Sequence, residues 1–260
     1  MEPKSIVYFL GQIEDNRKAK GKRHEQLSLL IFMILAMLCG KTSLKDMARF
    51  GKTHREELAR HIPLPRGKPP SFSTLQRLSR RLSIHSLVEN FNGWMSQYIK
   101  EEAIAADGKS ITSTVKEVDG KQSFTSLVSF FGQNSRLIYQ IGVLENDKKS
   151  EIHVVQELLR VLQVNKAVFT LDALHCQTKT VEAVVESGNG YVITVKKNQP
   201  GLYRSIEDKS HEKPEDSHSW NQTGHGHDMR CRIDVYKADE ELKKMERIES
   251  LHSSSSARIA

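Results

Sequence analysis

Asp107 and Asp172 are the residues whose type and setting could do chemistry. Each follows a short apolar run, "AIAA" before Asp107 and "FTL" before Asp172, and each has a small residue beside it. Read as strands, these runs carry both carboxylates to strand carboxyl ends, where ligands gather in open α/β sheets. A pair of converging carboxylates is what Mg²⁺ or Mn²⁺ needs, because hard cations take oxygen ligands. An Asp at a strand end is more commonly a turn or helix cap, so spacing alone leaves both roles open. A second metal candidate is the close set His225, His227 and Cys231, which lacks an evident fourth ligand for tetrahedral zinc.

The elements that must position the two acids follow from periodicity. "AIAAD" (103–107), "SFTSLVSFF" (123–131) and "LIYQIGVLE" (137–145) predict three strands, the last two joined by a short Gln-Asn-Ser-Arg turn. Residues 150–162 predict a helix, 166–173 a strand, 177–188 a helix stopped by Gly188, and 190–198 a further strand. The order βββαβαβ predicts a mixed sheet covered by helices. After Pro200 the chain turns polar and His-rich, "MRCRIDVYKA" (229–238) reads as a strand without a partner, and the closing "HSSSSARIA" is expected to be disordered. Upstream, 5–13 and 26–38 predict helices. Gly40 reads as a helix stop and Ser43 as an N-cap, and a helix capped by Ser73 follows the break "IPLPRGKPP". Arg77, Arg80 and Arg81 lie on that helix's outer flank, a loose helix-turn-helix candidate for DNA contact.

Charge is unevenly spread. Residues 1–100 hold eighteen Lys and Arg against eight Asp and Glu, a surplus of ten, which leaves the remainder at −3 of the total +7. A clustered basic excess suits phosphate neutralisation, and equally a solvated basic surface. Cys39, Cys176 and Cys231 are odd in number and far apart, so neither a disulfide framework nor a zinc ribbon is expected, and a reducing cytoplasm suits them. The longest apolar run, Leu29 to Leu38, is half of the roughly 20 residues that cross a bilayer as a helix, so no membrane association is expected.

Four segments occur in an order that resembles one family: "IAADGKSI" (104–111), "KKSEIHVVQELLRVL" (148–162), "FTLDALHCQ" (169–177) and "GYVITVKKNQPGLY" (190–203). With "DNRKAKGKRHEQLSLLIFMILAMLCGKTSLKDMARFG" (15–51) and "SFSTLQRLSRRLS" (71–83), they are similar to the H-repeat-associated transposases of bacterial insertion sequences, of the Asp-Asp-Glu kind. The likeness runs from about residue 10 to 250. It implies a ribonuclease H-like core at 101–238, with a truncated insertion from about 205. A small all-α, DNA-binding domain at 1–100 would precede it, and a short helix and disordered tail at 239–260 would follow. It also implies that Asp107 and Asp172 are the first and second acids of a site for two Mg²⁺ or Mn²⁺ ions, acting in strand cleavage and strand transfer. Lys109, Lys196, Lys197, Asn198 and Gln199 become candidate DNA contacts. The partners implied are double-stranded DNA, both element ends and target, and further copies of the chain on that DNA.

The chain departs from the family at its third acid. Relatives carry a Glu on a late helix, spaced with Tyr, Arg and Lys, and no such segment occurs here. Glu240, Glu241, Glu246 and Glu249 instead read as an exposed charged helix with i,i+4 partners Lys243 and Lys244. The expectation is a C-terminally truncated copy, impaired in transposition. The alternatives are a non-catalytic DNA-binding remnant that inhibits an intact transposase, and a structure-selective nuclease of the same fold. Mg²⁺-dependent cutting of element-end DNA by the 260 residues alone is therefore expected to be weak or nil; robust, Asp172-dependent cutting would overturn the truncation.

Overall fold

A computed structural model describes residues 4–18, 22–118, 121–145, 151–224, 227–238 and 250–258. By their contacts the residues form two compact units, one of Met1–Ile99, Ser110–Ser129 and Ile138–Asp147, the other of Lys100–Lys109, Phe130–Leu137 and Lys148–Ala260.

The first unit opens with helices α1 (Ile6–Gly11), α2 (Gln26–Leu38), α3 (Leu44–Thr53), α4 (Arg55–His61), α5 (Phe72–Ser79) and α6 (Ile84–Met95). Serines start four of them. The hydroxyls of Ser5, Ser43, Ser71 and Ser83 each accept the amide three residues on, satisfying a donor that has no partner within the helix. Gly40, at φ 75°, ends α2 as expected, since a left-handed residue there turns the chain without a Cβ clash. The cap of α5 is Ser71 rather than Ser73, and α5 stops at Ser79. Of the three flanking arginines, then, only Arg77 is helical, while Arg80 is the C-cap and Arg81 begins the next turn. Leu29, Leu30, Phe32 and Ala36 of α2 join Met47, Ala48, Leu58, Leu75 and Leu78 in one apolar core.

Ahead of α2, Arg17 is almost wholly buried, with its side chain 4% exposed, and grips Asp15 through Nε–Oδ1 at 2.8 Å and Nη2–Oδ2 at 2.9 Å. Its Nη2 also donates to the His24 carbonyl at 2.9 Å. These bonds hold the Asp15 carboxyl at about 2, below its ordinary 3.8.

The mixed sheet runs β3-β2-β1-β4-β5, with β1 at Ala103–Val118, β2 at Lys121–Gly132, β3 at Ile138–Glu145, β4 at Val168–Leu171 and β5 at Gly190–Ile193. Helices α7 (Glu151–Val161) and α8 (Thr178–Glu186) are the crossovers that bring β4 parallel to β1 and β5 parallel to β4. Strand β3 lies at the sheet edge, and Asn92 of α6 both donates to the Ile141 carbonyl (2.9 Å) and accepts its amide (2.8 Å), as a neighbouring strand would. The tight link between β2 and β3 takes Arg136 into positive φ, and the buried Glu102 carboxylate accepts the amides of Asn134 and Ser135.

Four features differ from the sequence-based expectation. Strand β1 does not end at Asp107 but continues to Val118, because the β-branched run Ile111, Thr112, Thr114 and Val115 keeps the backbone extended past Gly108. A helix, α9 (Pro200–Lys209), follows β5; Pro200 opens it, and its Leu202 and Ile206 bury against Cys176, Tyr236 and Ala238. The strand at 227–237 is not alone: β6 (Asp216–Gly224), β7 (His227–Lys237) and β8 (Ser250–Arg258) make an antiparallel sheet. Lastly, the serine run expected to be disordered is β8, since main-chain pairing to β7 asks nothing of its side chains. The helix expected around Glu240, Glu241, Glu246 and Glu249 lies outside the described residues.

At neutral pH, Asp15→Asn is expected to cost about 1–2 kcal/mol, short of what the shift alone would give because water reaches the carboxylate. A folded-state pKa below the unfolded one stabilises above about pH 4, and that stability is lost as pH falls towards 2. Urea unfolding of the variant should therefore show a flatter acid limb over that window; an unchanged midpoint at pH 7 would refute the pair's role.

Candidate functional site

The parallel ladder sets Ala103 opposite Val168, Ile104 opposite Phe169 and Ala105 opposite Thr170. Carried two residues further, the same offset sets Asp107 opposite Asp172. Residues opposite one another in a sheet share a face, and neighbouring strands lie about 4.8 Å apart. Ile104 and Phe169 are fully buried and Leu171 nearly so, which assigns Asp107 and Asp172 to the other face, with Ala105 and Thr170. Asp107 is exposed, and the Asp172 side chain is 67% exposed. Asp107 stands within a long strand, two residues past the last parallel pair, whereas Asp172 caps a 3-10 turn, Ala173–His175. Its Oδ1 accepts the Leu174 amide at 3.0 Å. Asp172 is thus a cap, and a carboxylate with about four lone-pair positions can cap a turn and still face an ion.

The turn that carries Asp172 is held from outside by three side chains. Asn198 Nδ2 donates to the Ala173 carbonyl at 2.7 Å and Gln199 Nε2 to the Cys176 carbonyl at 2.7 Å. Expected as DNA contacts, these amides each give one donor to the turn. The third is Glu151, in the first turn of α7, whose Oε1 is 3.3 Å from Nε2 of His175. His175 is 1% exposed, and its Nε2 also stands 3.9 Å from Asp172 Oδ1. An ionised carboxylate only accepts, so in this contact Nε2–H is the donor. The buried Nδ1 has no hydrogen-bond partner.

Glu151 meets β1 at Gly108. A Cβ there would lie 2.5 Å from both Cδ and Oε2 of Glu151, so any larger residue at 108 would push that carboxylate aside. Strand alternation places Gly108 on the face opposite Asp107, so Glu151 packs beneath the strand whose upper face carries the first acid. Sequence reading missed Glu151 and His175; the only trace is a Glu opening an amphipathic helix and a His three residues after Asp172.

The remaining predicted residues are exposed. Lys109 lies two positions after Asp107, hence on its face; Lys196 and Lys197 follow β5; Arg77, Arg80 and Arg81 belong to the helical segment. His225 lies outside the described residues, as does the side chain of His227, while Cys231 pairs in β7 with Trp220 of β6. Among the described residues no group of three or more His, Cys, Asp or Glu is arranged to hold a metal ion. The pair Asp107 and Asp172 still fits a hard divalent cation, since Mg²⁺ is commonly held by one or two carboxylates with water and substrate phosphate completing its shell. Of the described residues, no helix is long and apolar enough to cross a membrane.

A family model described as DDE_Tnp_1-associated matches residues 7–95. "Putative protein YbfL" of Escherichia coli K12 is 30% identical over 235 residues, which cover 87% of this chain and 61% of that protein. The "H repeat-associated putative transposase YbfD" of the same strain is 29% identical, covering 80% of this chain and 83% of the relative, and its namesake YhhI is 27% identical, covering 87% and 61%. This chain therefore spans about three fifths of the length of YbfL and of YhhI. A piggyBac transposase synaptic complex with hairpin DNA superposes over 96% of this chain and 56% of that one, at 11% identity and TM-score 0.44, too loosely to add weight. The helical segment thus matches a family model described as DDE_Tnp_1-associated, and along four fifths or more of its length the chain is similar to proteins named as H repeat-associated putative transposases.

Proposed function

We propose that this chain carries two acids of a transposase centre that cleaves and transfers DNA strands at the ends of an insertion sequence. The observation that supports it most is the β1–β4 register, whose offset, extended two residues past its last pair Ala105–Thr170, sets Asp107 level with Asp172, both of them exposed. The strand order β3-β2-β1-β4-β5 with parallel β1, β4 and β5 supports the reading of 101–238 as a ribonuclease H-like core with a truncated insertion from about 205; 1–100 we read as a helical DNA-binding domain before it. Asp107 and Asp172 would hold Mg²⁺ or Mn²⁺, two ions in a complete site, which would supply activation of the attacking oxygen and stabilisation of the leaving oxygen in an in-line phosphoryl transfer.

The chain's own residues divide the remaining work. Asp107, on an uninterrupted strand, offers a carboxylate whose backbone is fixed by the ladder. Asp172 offers a second from a turn pinned by Asn198 and Gln199. Lys109 on the same face and Lys196 and Lys197 beyond β5 supply positive charge for DNA phosphate, and Arg77, Arg80 and Arg81 supply it from the helical domain. The working form is an oligomer assembled on element ends and target.

The weak residual nicking of element-end DNA expected of this chain with Mg²⁺ or Mn²⁺ should vanish in Asp107→Asn and in Asp172→Asn while gel-shift binding of the same DNA persists; nicking that survives either change would contradict the two-acid site. Replacing Arg77, Arg80 and Arg81 together by Ala should weaken binding to all sequences alike and reduce the slope of log affinity against log salt by roughly 2 to 3. An unchanged slope would remove these arginines from the DNA surface.

A further inference from the structure

We propose that Glu151 and His175 are positioning residues that lock the Asp172 turn to the backbone of β1 at Gly108, directly beside Asp107. The inference rests on the two-acid reading of the site. It arises because the two acids belong to different kinds of backbone. Asp107 is held by strand pairing, whereas Asp172 stands at the first residue beyond β4, where the ladder has ended and a short turn decides its direction.

The link between the two consists of one buried ring and one carboxylate. His175 is within the turn and 1% exposed, so its ring has little freedom to swing. Its Nε2 reaches Glu151 at 3.3 Å and stands 3.9 Å from Asp172. The Glu151 carboxylate fills the place that a Cβ of residue 108 would take. Moving the turn away from β1 would break the His175 contact or drag Glu151 off Gly108, so the separation of the two acids is tied to a pair that touches neither DNA nor ion. Glu151 itself is not a third ligand here. It approaches β1 from the face opposite Asp107, and no three-acid group arranged for an ion occurs among the described residues.

The readout is Mn²⁺ affinity of the purified chain, by calorimetry or the spectrum of free Mn²⁺, with thermal melting as the control for folding. Removing a residue that orients a metal ligand typically costs at least about tenfold in affinity, the loss expected for Glu151→Ala. Glu151→Gln, which still accepts from Nε2–H, should stay within about twofold of wild type, since the part played is a hydrogen bond and not a charge. Gly108→Ala should lose as much as Glu151→Ala, and the double variant no more than either alone. If Glu151→Ala does not fold, Gly108→Ala against Glu151→Gln carries the same decision. The inference is overturned if Glu151→Ala and Gly108→Ala keep wild-type affinity, or if Glu151→Gln loses as much as Glu151→Ala, which would make the charge itself a ligand. Wild-type binding that Asp107→Asn leaves intact would instead sink the two-acid site beneath it.

Discussion

The parallel ladder between β1 and β4 decides which side chains can meet at the sheet's carboxyl end. Its offset pairs Ile104 with Phe169 on the buried face, where both are fully covered, and thereby commits Asp107 and Asp172 to the exposed one. A slip of one residue would reverse this, turning an Asp into the core and a phenylalanine into water. The burial of Ile104 and Phe169, and the T-shaped packing of Phe130 on Phe169 at 5.4 Å, hold the register of the two strands that lead to the acids.

What the ladder cannot do is hold Asp172 once β4 has ended, and several polar contacts gather there. Asn198 and Gln199 bind the carbonyls of Ala173 and Cys176, and His175 ties the turn to Glu151. A buried imidazole next to a carboxylate is costly to assemble unless the geometry is well satisfied. Its presence under a solvent-facing acid pair fits a site whose precision matters more than its stability.

Much of this is legible in the sequence. The alternation of βββαβαβ, the stop at Gly40 and the tight turn after β2 all follow from local pattern, and the elements occur in that order, although β1 runs on to Val118 and β5, expected over 190–198, ends at Ile193. Gly108 concealed the length of β1, because a glycine after an Asp reads as a turn until one sees that Glu151 occupies its missing side chain. β6 and β8 went unseen for a different reason. Their partners are supplied by β7, and residues such as Ser253 to Ser256 carry no apolar period that would announce a strand. The Glu151–His175 contact joins positions 24 apart whose types are ordinary singly; only the fold brings them together. Asn198 and Gln199, polar and next to two lysines, resembled a DNA-facing cluster, and nothing local distinguishes an amide aimed at phosphate from one aimed at a carbonyl.

Everything proposed for the site depends on Asp107 and Asp172 holding cations together. Crystals of the chain soaked in Mn²⁺ and measured at the manganese absorption edge would test it without recourse to DNA or turnover. An anomalous peak about 2.0–2.3 Å from carboxylate oxygens of both residues is expected. A peak bound by only one of them, or density elsewhere and none between them, would contradict it.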